Sequence, residues 1–265
     1  LIRLIGIDVD GTLVGASGVV AATVWQAAKR ARALGIHLVL CSGRPAFGLA
    51  LEYAKRLDDD GWHVFQNGAS VLHVGNGRSR SVALPQDAVQ RFIVQARGNG
   101  EVLELYSDSE YVTESDALWA REHAELLGLP FVARPFESLR GPVVRAQWLL
   151  SRARAKTVLE ASHADLEIAQ STSPLMPETQ FVGLTAQGVN KGSALRAIAA
   201  EYAIDLDDVM YVGDSGNDLS AMRIVGCPVA MANAEPAVIQ ASVRTVDHVD
   251  DGGVAQALEF AIASH

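Results

Sequence analysis

The sequence predicts an α/β protein in which a parallel-sheet core is interrupted by an inserted α+β module. Three observations carry that prediction. Apolar runs and amphipathic stretches alternate as strand, helix, strand, helix at the start of the chain and again after about residue 188, which is the pattern of a parallel sheet covered on both faces. Between them the order changes to paired strands flanked by helices, the texture of an α+β unit. That middle stretch, roughly 100 residues, is too long for a loop and long enough for a domain. The expected division is 1–83 for the first part of the core, 84–183 for the insertion and 184–265 for the second part of the core.

The core opens with the apolar run Leu1, Ile2, Leu4, Ile5 and Ile7, a strand that ends at "DVDGTL". A helical pattern follows from about Val19 to Leu34 and stops at Gly35, because glycine closes a helix without strain in the left-handed region. Next come the apolar run "IHLVLC", the loop "SGRP" and a helix with Pro45 in its first turn. "HVFQNGASVLHVGNGRSRSV" reads as a core strand running into a hairpin turned at Gly75-Asn76-Gly77. In the insertion the pattern predicts a helix from Pro85 to Arg97, strands near Val102 to Tyr106 and Tyr111 to Thr113, and a helix from Ser115 to Leu127. It continues with a strand from Val143 to Leu150, a helix from Arg152 to Ser162, and strands from Leu166 to Ser171 and Thr179 to Leu184. The core then returns as a helix from Gly192 to Tyr202, the strand "VMYVG", a helix from about Asn217, the strand "PVAMA", a helix, the short strand "VRTVD" and a last helix from about Gly253.

Composition narrows the function classes. With 49% hydrophobic and 20% charged residues the chain reads as a soluble globule, and its net charge of −9 offers no footprint for nucleic acid or an anionic membrane. No stretch approaches the ~20 apolar residues of a membrane span. Neither nucleic acid nor membrane is therefore expected as a partner, and a cytoplasmic location is the expectation. Cys41 and Cys227 lack zinc-like spacing and read as buried free thiols.

Four strand ends carry reactive side chains, and in an open parallel sheet ligands bind outside the carboxyl ends of the strands. At "DVDGTL", alternation along an extended strand would point Asp8 and Asp10 the same way, and two like charges held close call for a cation. Asp8 suits a nucleophile and Asp10 an acid that protonates a leaving group and later takes a proton from water. Asp10, Gly11 and Thr12 open a loop whose N–H groups can cradle an anion. At "CSGRP", the Ser42 hydroxyl and the N–H of Gly43 suit a phosphoryl oxygen. Lys191 in "GVNKGSAL" is one of only four lysines and sits at a helix N-terminus, where the macrodipole opposes a cation, so it asks for an anionic partner. At "VMYVGDSGND", Asp214, Asn217 and Asp218 crowd one tip. Carboxylates from two strand ends make a hard oxygen site that suits Mg²⁺. Taken singly, each tip also has a structural reading: an Asx-turn, an ordinary Ser-Gly loop, a solvated surface lysine, a helix cap. Together their chemistries fit one reaction, phosphoryl transfer.

These residues, D-x-D-G-T-L, Ser-Gly-Arg, an isolated Lys before a helix and G-D-x-x-N-D, in this order and in both halves of the chain, resemble the four motifs of the haloacid dehalogenase (HAD) superfamily. An insertion of this size between the second and third motifs resembles a type IIB cap on a Rossmann-like core, and "FQNGASV" and "VAMANAEPAV" resemble the Cof-like branch. The resemblance implies a Mg²⁺-dependent phosphatase of sugar phosphates and other small phosphomonoesters. It makes Asp8 nucleophile and metal ligand, and Asp10 the general acid/base that also offers its backbone carbonyl to Mg²⁺. It makes Asp214 the second carboxylate on the metal and Ser42 and Lys191 the phosphate binders. Thr12 and Gly43 join the phosphate cup, Asn217 helps hold phosphate or metal waters, and Asp218 orients Lys191 or the metal shell. Ala232 before Asn233 departs from the usual Gly and leaves that loop without an assigned role. The expected partner is a small phosphorylated metabolite; the sequence names neither its leaving group nor an oligomeric state. A hexose phosphomutase and a phospho-aspartate signalling module are the alternatives, the first needing to exclude water and the second needing no large cap.

Overall fold

The computed structural model describes residues 1–160, 165–173 and 176–264. In chain order the core begins with β1 (Leu4–Ile7), α1 (Ala22–Ala33), β2 (His37–Leu40), α2 (Leu49–Leu57), β3 (Trp62–Phe65) and β4 (Ser70–His73). The insertion follows as α3 (Gln86–Asn99), β5 (Val102–Tyr106), β6 (Tyr111–Val112), α4 (Leu118–Leu127), β7 (Arg145–Ser151), α5 (Arg152–Glu160), β8 (Leu166–Ser173) and β9 (Met176–Ala186). The core resumes with α6 (Lys191–Glu201), β10 (Val209–Gly213), α7 (Leu219–Met222), β11 (Cys227–Met231), α8 (Pro236–Ala241), β12 (Arg244–Val246) and α9 (Gly253–Ala263).

The core sheet is parallel, in the order β12-β11-β10-β1-β2. β1 and β10 are buried along their whole length, as strands covered on both faces must be. Beyond β2, Cys41 bridges Val64 in parallel and carries the sheet on into the antiparallel pair β3 and β4. The order places β1 between β2 and β10, so "DVDGTL", "CSGRP" and "GDSGND" emerge side by side at the carboxyl edge. Gly6 of β1 faces Tyr211 of β10 in register. A Cβ at Gly6 would lie 2.7 Å from Tyr211 Cδ2, so glycine is what admits that ring.

The insertion forms its own antiparallel sheet, β6-β5-β7-β9-β8, with a separate apolar core. One face packs Leu103, Leu105, Ala146 and Trp148 against Phe92 and Ile93 of α3 and Val158 of α5. The other face changes character along the strands. Val102, Leu149 and Phe181 lie under Ala120 of α4; the next row is Glu104, Gln147 and Gly183; the row nearest the core holds Tyr106 paired with Arg145.

Several boundaries differ from the sequence expectation. α2 starts at Leu49 and not at Pro45, because Gly48 takes φ 65° and the preceding loop packs against the end of α4, with Leu127 O 3.1 Å from a Cβ built at Gly48. The turn between β3 and β4 is Gln66–Gly68, where Gln66, Asn67 and Gly68 all have positive φ (53°, 55° and 103°). The predicted turn at Gly75-Asn76-Gly77 is present as a second turn after β4, with His73 N donating to Arg78 O at 2.9 Å and Ser79 bridging back antiparallel to Leu72. Ser115 does not open α4; its Oγ accepts from Ala117 N at 3.3 Å, a local turn that delays the helix. The helix expected from Asn217 is a 3₁₀ turn, Gly216–Asp218, running into the short α7. Positions 161 and 162 of the predicted helix from Arg152 to Ser162 lie outside the described residues. Both cysteines are free, Cys41 buried but Cys227 only half-buried. Among the described residues no helix is long and apolar enough to cross a membrane.

Candidate active site

Asp8 follows β1 directly, its backbone N–H donating to Val212 O of β10 at 3.0 Å. That ladder bond sets the first strand tip beside the one that carries Asp214. Carboxylate oxygens of Asp8, Asp214 and Asp218 lie within 4.8 Å of one another. Thr12 Oγ1 donates to Asp214 Oδ1 at 2.9 Å. Gly11 has φ 84°, and a side chain there would collide with the Asp214 carboxylate, so the close approach of the two loops depends on glycine.

Lys191 is the first residue of α6, capped by Asn190, whose side chain accepts from Ser193 N. Its ammonium is fully buried and donates to Asp8 Oδ1 at 2.6 Å, Asp218 Oδ1 at 2.7 Å and Asn217 Oδ1 at 3.3 Å. The solvated-surface reading of this lysine therefore fails. Asp218 is held on every side. Tyr211 Oη donates to its Oδ1 at 2.6 Å, and the backbone N–H groups of Asp214 and Ser215 donate to its Oδ2 at 3.0 and 3.1 Å.

The charges explain the titration. Burial pulls the Lys191 ammonium down, but the Asp218 and Asp8 carboxylates outweigh it and hold it above its usual range. Burial, then the charge of Asp218, raises Asp8 well above the ordinary carboxylate range; the same two causes push Asp214 up to about 7. Several carboxylates against one ammonium leave an excess of negative charge in a buried place. With Asp218 taken up by Lys191, Tyr211 and two backbone N–H groups, the converging Asp8 and Asp214 carboxylates are the hard oxygen donors that fit a small divalent cation, which removes that excess.

Asp10 departs from the strand-alternation expectation. The strand ends at Ile7 and the chain turns, so the Asp10 side chain is 61% exposed and its carboxylate is not in the Asp8, Asp214, Asp218 cluster. Arg44 grips it instead, with Nε 2.9 Å from Oδ2 and Nη2 2.5 Å from Oδ1. Ser42 is fully buried; its Oγ accepts from Arg44 N at 3.0 Å, which orients the hydroxyl. Gly43 lies against Asn67, whose Oδ1 would be 3.3 Å from a Cβ there.

Arg44, Asn67, Tyr211 and Asn233 lie within the sequence motifs but carry no role that the sequence predicts. Asn67 Oδ1 accepts from Asn217 Nδ2 at 3.1 Å and ties the third strand's loop to the fourth tip. Asn233 Nδ2 donates to Gly11 O at 2.7 Å while its Oδ1 accepts from Val249 N at 3.0 Å. The Ala232-Asn233 loop therefore braces the first loop. "QNG", with two residues that tolerate positive φ, was the available signal for Asn67.

A family model described as haloacid dehalogenase-like hydrolase matches residues 5–258. The chain belongs to that family. It is an enzyme of the HAD hydrolase type. A HAD-like hydrolase from Bacteroides thetaiotaomicron superposes with a TM-score of 0.85 at 26% identity, over 98% of this chain and 99% of that one. The HAD subclass IIB sugar phosphatase BT4131 superposes with a TM-score of 0.84 at 24% identity, over 98% and 99% of the two chains. At that identity the likeness speaks for the fold, a HAD core carrying a IIB insertion. The phosphoglycolate phosphatase of Methanothermobacter thermautotrophicus is 27% identical over 97% of each chain. A Bacillus subtilis relative, 24% identical over 96% of each chain, is the 5-amino-6-(5-phospho-D-ribitylamino)uracil phosphatase YwtE.

Proposed function

We propose that this HAD hydrolase is a phosphatase of small phosphomonoesters, sugar phosphates among them, working with Mg²⁺ through an aspartyl-phosphate on Asp8. The observation that carries the reading is the meeting of three carboxylates within 4.8 Å of one another, two of them, Asp8 and Asp218, also bonded to a buried lysine. Asp8, Asp214 and the backbone carbonyl of Asp10 would hold the ion. Mg²⁺, when bound, supplies positive charge that lets a phosphate dianion approach a carboxylate.

The chain's own residues do the rest. An Asp8 carboxylate oxygen attacks phosphorus and the ester P–O bond breaks, while Asp10 passes a proton to the departing oxygen. Asp10 then takes a proton from the water that attacks the aspartyl-phosphate, the Asp8–phosphorus bond breaks, and inorganic phosphate leaves. Lys191, the Ser42 hydroxyl and the Gly43 N–H neutralise the oxygens of the group in transit, while Thr12, whose hydroxyl and N–H are spent on Asp214 Oδ1 and Val9 O, positions Asp214 and not the phosphate. Asn217 bridges Lys191 and the Asn67 loop, and Asp218 holds Lys191 in place. Residues 84–183 act as a cap, closed by binding energy from the part of the substrate distant from phosphorus.

A screen of sugar phosphates, nucleotides, cofactor phosphates and pyridoxal phosphate with Mg²⁺, run beside Asp8→Asn, tests the reading. Phosphate release that disappears in Asp8→Asn is expected. A panel with no release, or an Asp8→Asn enzyme that still turns over, overturns it.

A further inference from the structure

Among the described residues two cations are buried, and they are treated differently. Lys191 has two carboxylates within 2.7 Å. Arg145, on β7 of the insertion and 3% exposed, forms an ion pair with no described carboxylate. One of its donors, Nη1, is spent on Gly43 O, in the loop beside Ser42. Its guanidinium carbon lies 4.2 Å from the centre of the Tyr106 ring. Its Nε is buried with no hydrogen-bond partner. Glu104, one row further along the same sheet face, is already taken, accepting from Tyr106 Oη at 2.5 Å and lying 2.9 Å from His123 Nδ1.

A buried guanidinium whose nearby carboxylate, Glu104, is bonded to other groups and whose Nε has no acceptor is costly, and a cation–π contact offsets only part of that. In keeping with this, burial lowers Arg145 from its ordinary range where Lys191 is raised. The side chain crosses from the insertion to the loop beside Ser42, so an anion drawn to it would lie on the insertion side of the phosphate, where a leaving group would extend.

Resting on the phosphatase reading above, we propose that Arg145 is a specificity-determining residue that binds a second anionic group, a carboxylate or a further phosphate, on the leaving group. The preferred substrates are then phosphomonoesters of acids or of already phosphorylated sugars, and not of neutral polyols. Guanidinium binds such oxygens in paired fashion, and a site built for a charge rejects the analogue that lacks it.

Size-matched pairs test this: 6-phosphogluconate against sorbitol 6-phosphate for the carboxylate, fructose 1,6-bisphosphate against fructose 6-phosphate for the phosphate. Wild-type kcat/KM should favour the acidic member of at least one pair by tenfold or more. Arg145→Gln should cut that ratio at least fivefold, with Arg145→Lys retaining part of it. A wild-type enzyme without the preference, or a ratio that Arg145→Gln moves less than fivefold because all esters lose alike, overturns the assignment. If Arg145→Gln does not fold, inhibition of the wild type by gluconate against sorbitol decides it, equal inhibition counting against it. A wild-type enzyme that hydrolyses neither member of either pair, nor any other ester, refutes the phosphatase reading instead; calorimetric binding of gluconate and sorbitol then reads the Arg145 assignment separately.

Discussion

Lys191 Nζ donates to Asp8 Oδ1 across 2.6 Å, joining residues 183 positions apart in the chain. Both are buried, so the bond counts for stability as well as chemistry. Lys191→Met keeps the bulk of the side chain and removes the charge, leaving Asp8 and Asp218 without their shared partner. We expect a loss of about 3–5 kcal/mol in urea unfolding and a fall in kcat of about 10²–10³. A variant as stable as wild type would show that the carboxylates do not need the ammonium.

Phosphatase activity should vanish with a chelator and return with Mg²⁺. In Asp214→Asn the Mg²⁺ concentration for half-maximal activity should rise about 10–100-fold, since one of the two carboxylates proposed to hold the ion is neutralised. An unchanged Mg²⁺ titration would remove Asp214 from the ion's ligands.

Asp10 is the exposed member of the first strand tip, but the Arg44 side chain that grips it is only 10% exposed, so Asp10→Asn should lower the melting temperature by leaving that guanidinium without its carboxylate and lower kcat by about 10²–10⁴ on alkyl phosphates. The loss should be smaller on p-nitrophenyl phosphate, whose leaving group needs no proton. Equal losses on both would argue against leaving-group protonation by Asp10.

His63 gives the fold a pH dependence separate from the site. Its Nδ1 accepts from Leu40 N at 3.0 Å, and its Nε2 lies 2.7 Å from Asp58 O, to which it donates. A proton on Nδ1 would face an N–H. Burial first of all lowers this histidine from 6.5 to about 4. As pH falls below 6.5 the unfolded chain takes the proton first, so stability falls between pH 6.5 and 4 and levels off below. The full effect is about 3 kcal/mol. Urea unfolding at stepped pH checks it, and the slope should be absent in His63→Gln.

Motif chemistry was readable without coordinates because it is local. "DVDGTL", "GVNKGSAL" and "VMYVGDSGND" each place reactive groups at a strand end or helix start, and the strand-helix alternation that identifies a parallel sheet also implies that such ends share one edge. Asp8, Thr12, Lys191, Asp214, Asn217 and Asp218 do meet there. What was not readable depends on neighbours remote in the chain. Arg44 stood in view in "CSGRP", yet nothing local says that its side chain turns to Asp10. Asn67 and Asn233 act by hydrogen bonds to loops 150 and 222 residues away.

The sequence by itself determined the class of fold, the order of the strand tips and the residue types they carry, since periodicity and turn chemistry are properties of short segments. Only the tertiary structure decided that Asp8 and Asp10 part company, that Lys191 is buried between two carboxylates, and that Arg145 reaches from the insertion to Gly43. Those outcomes follow from strand order, which sets β1 beside β10 and lays one end of the inserted sheet against the loops of the core. Burial and pairing of charge are settled by that long-range packing, and no stretch of a few residues encodes it.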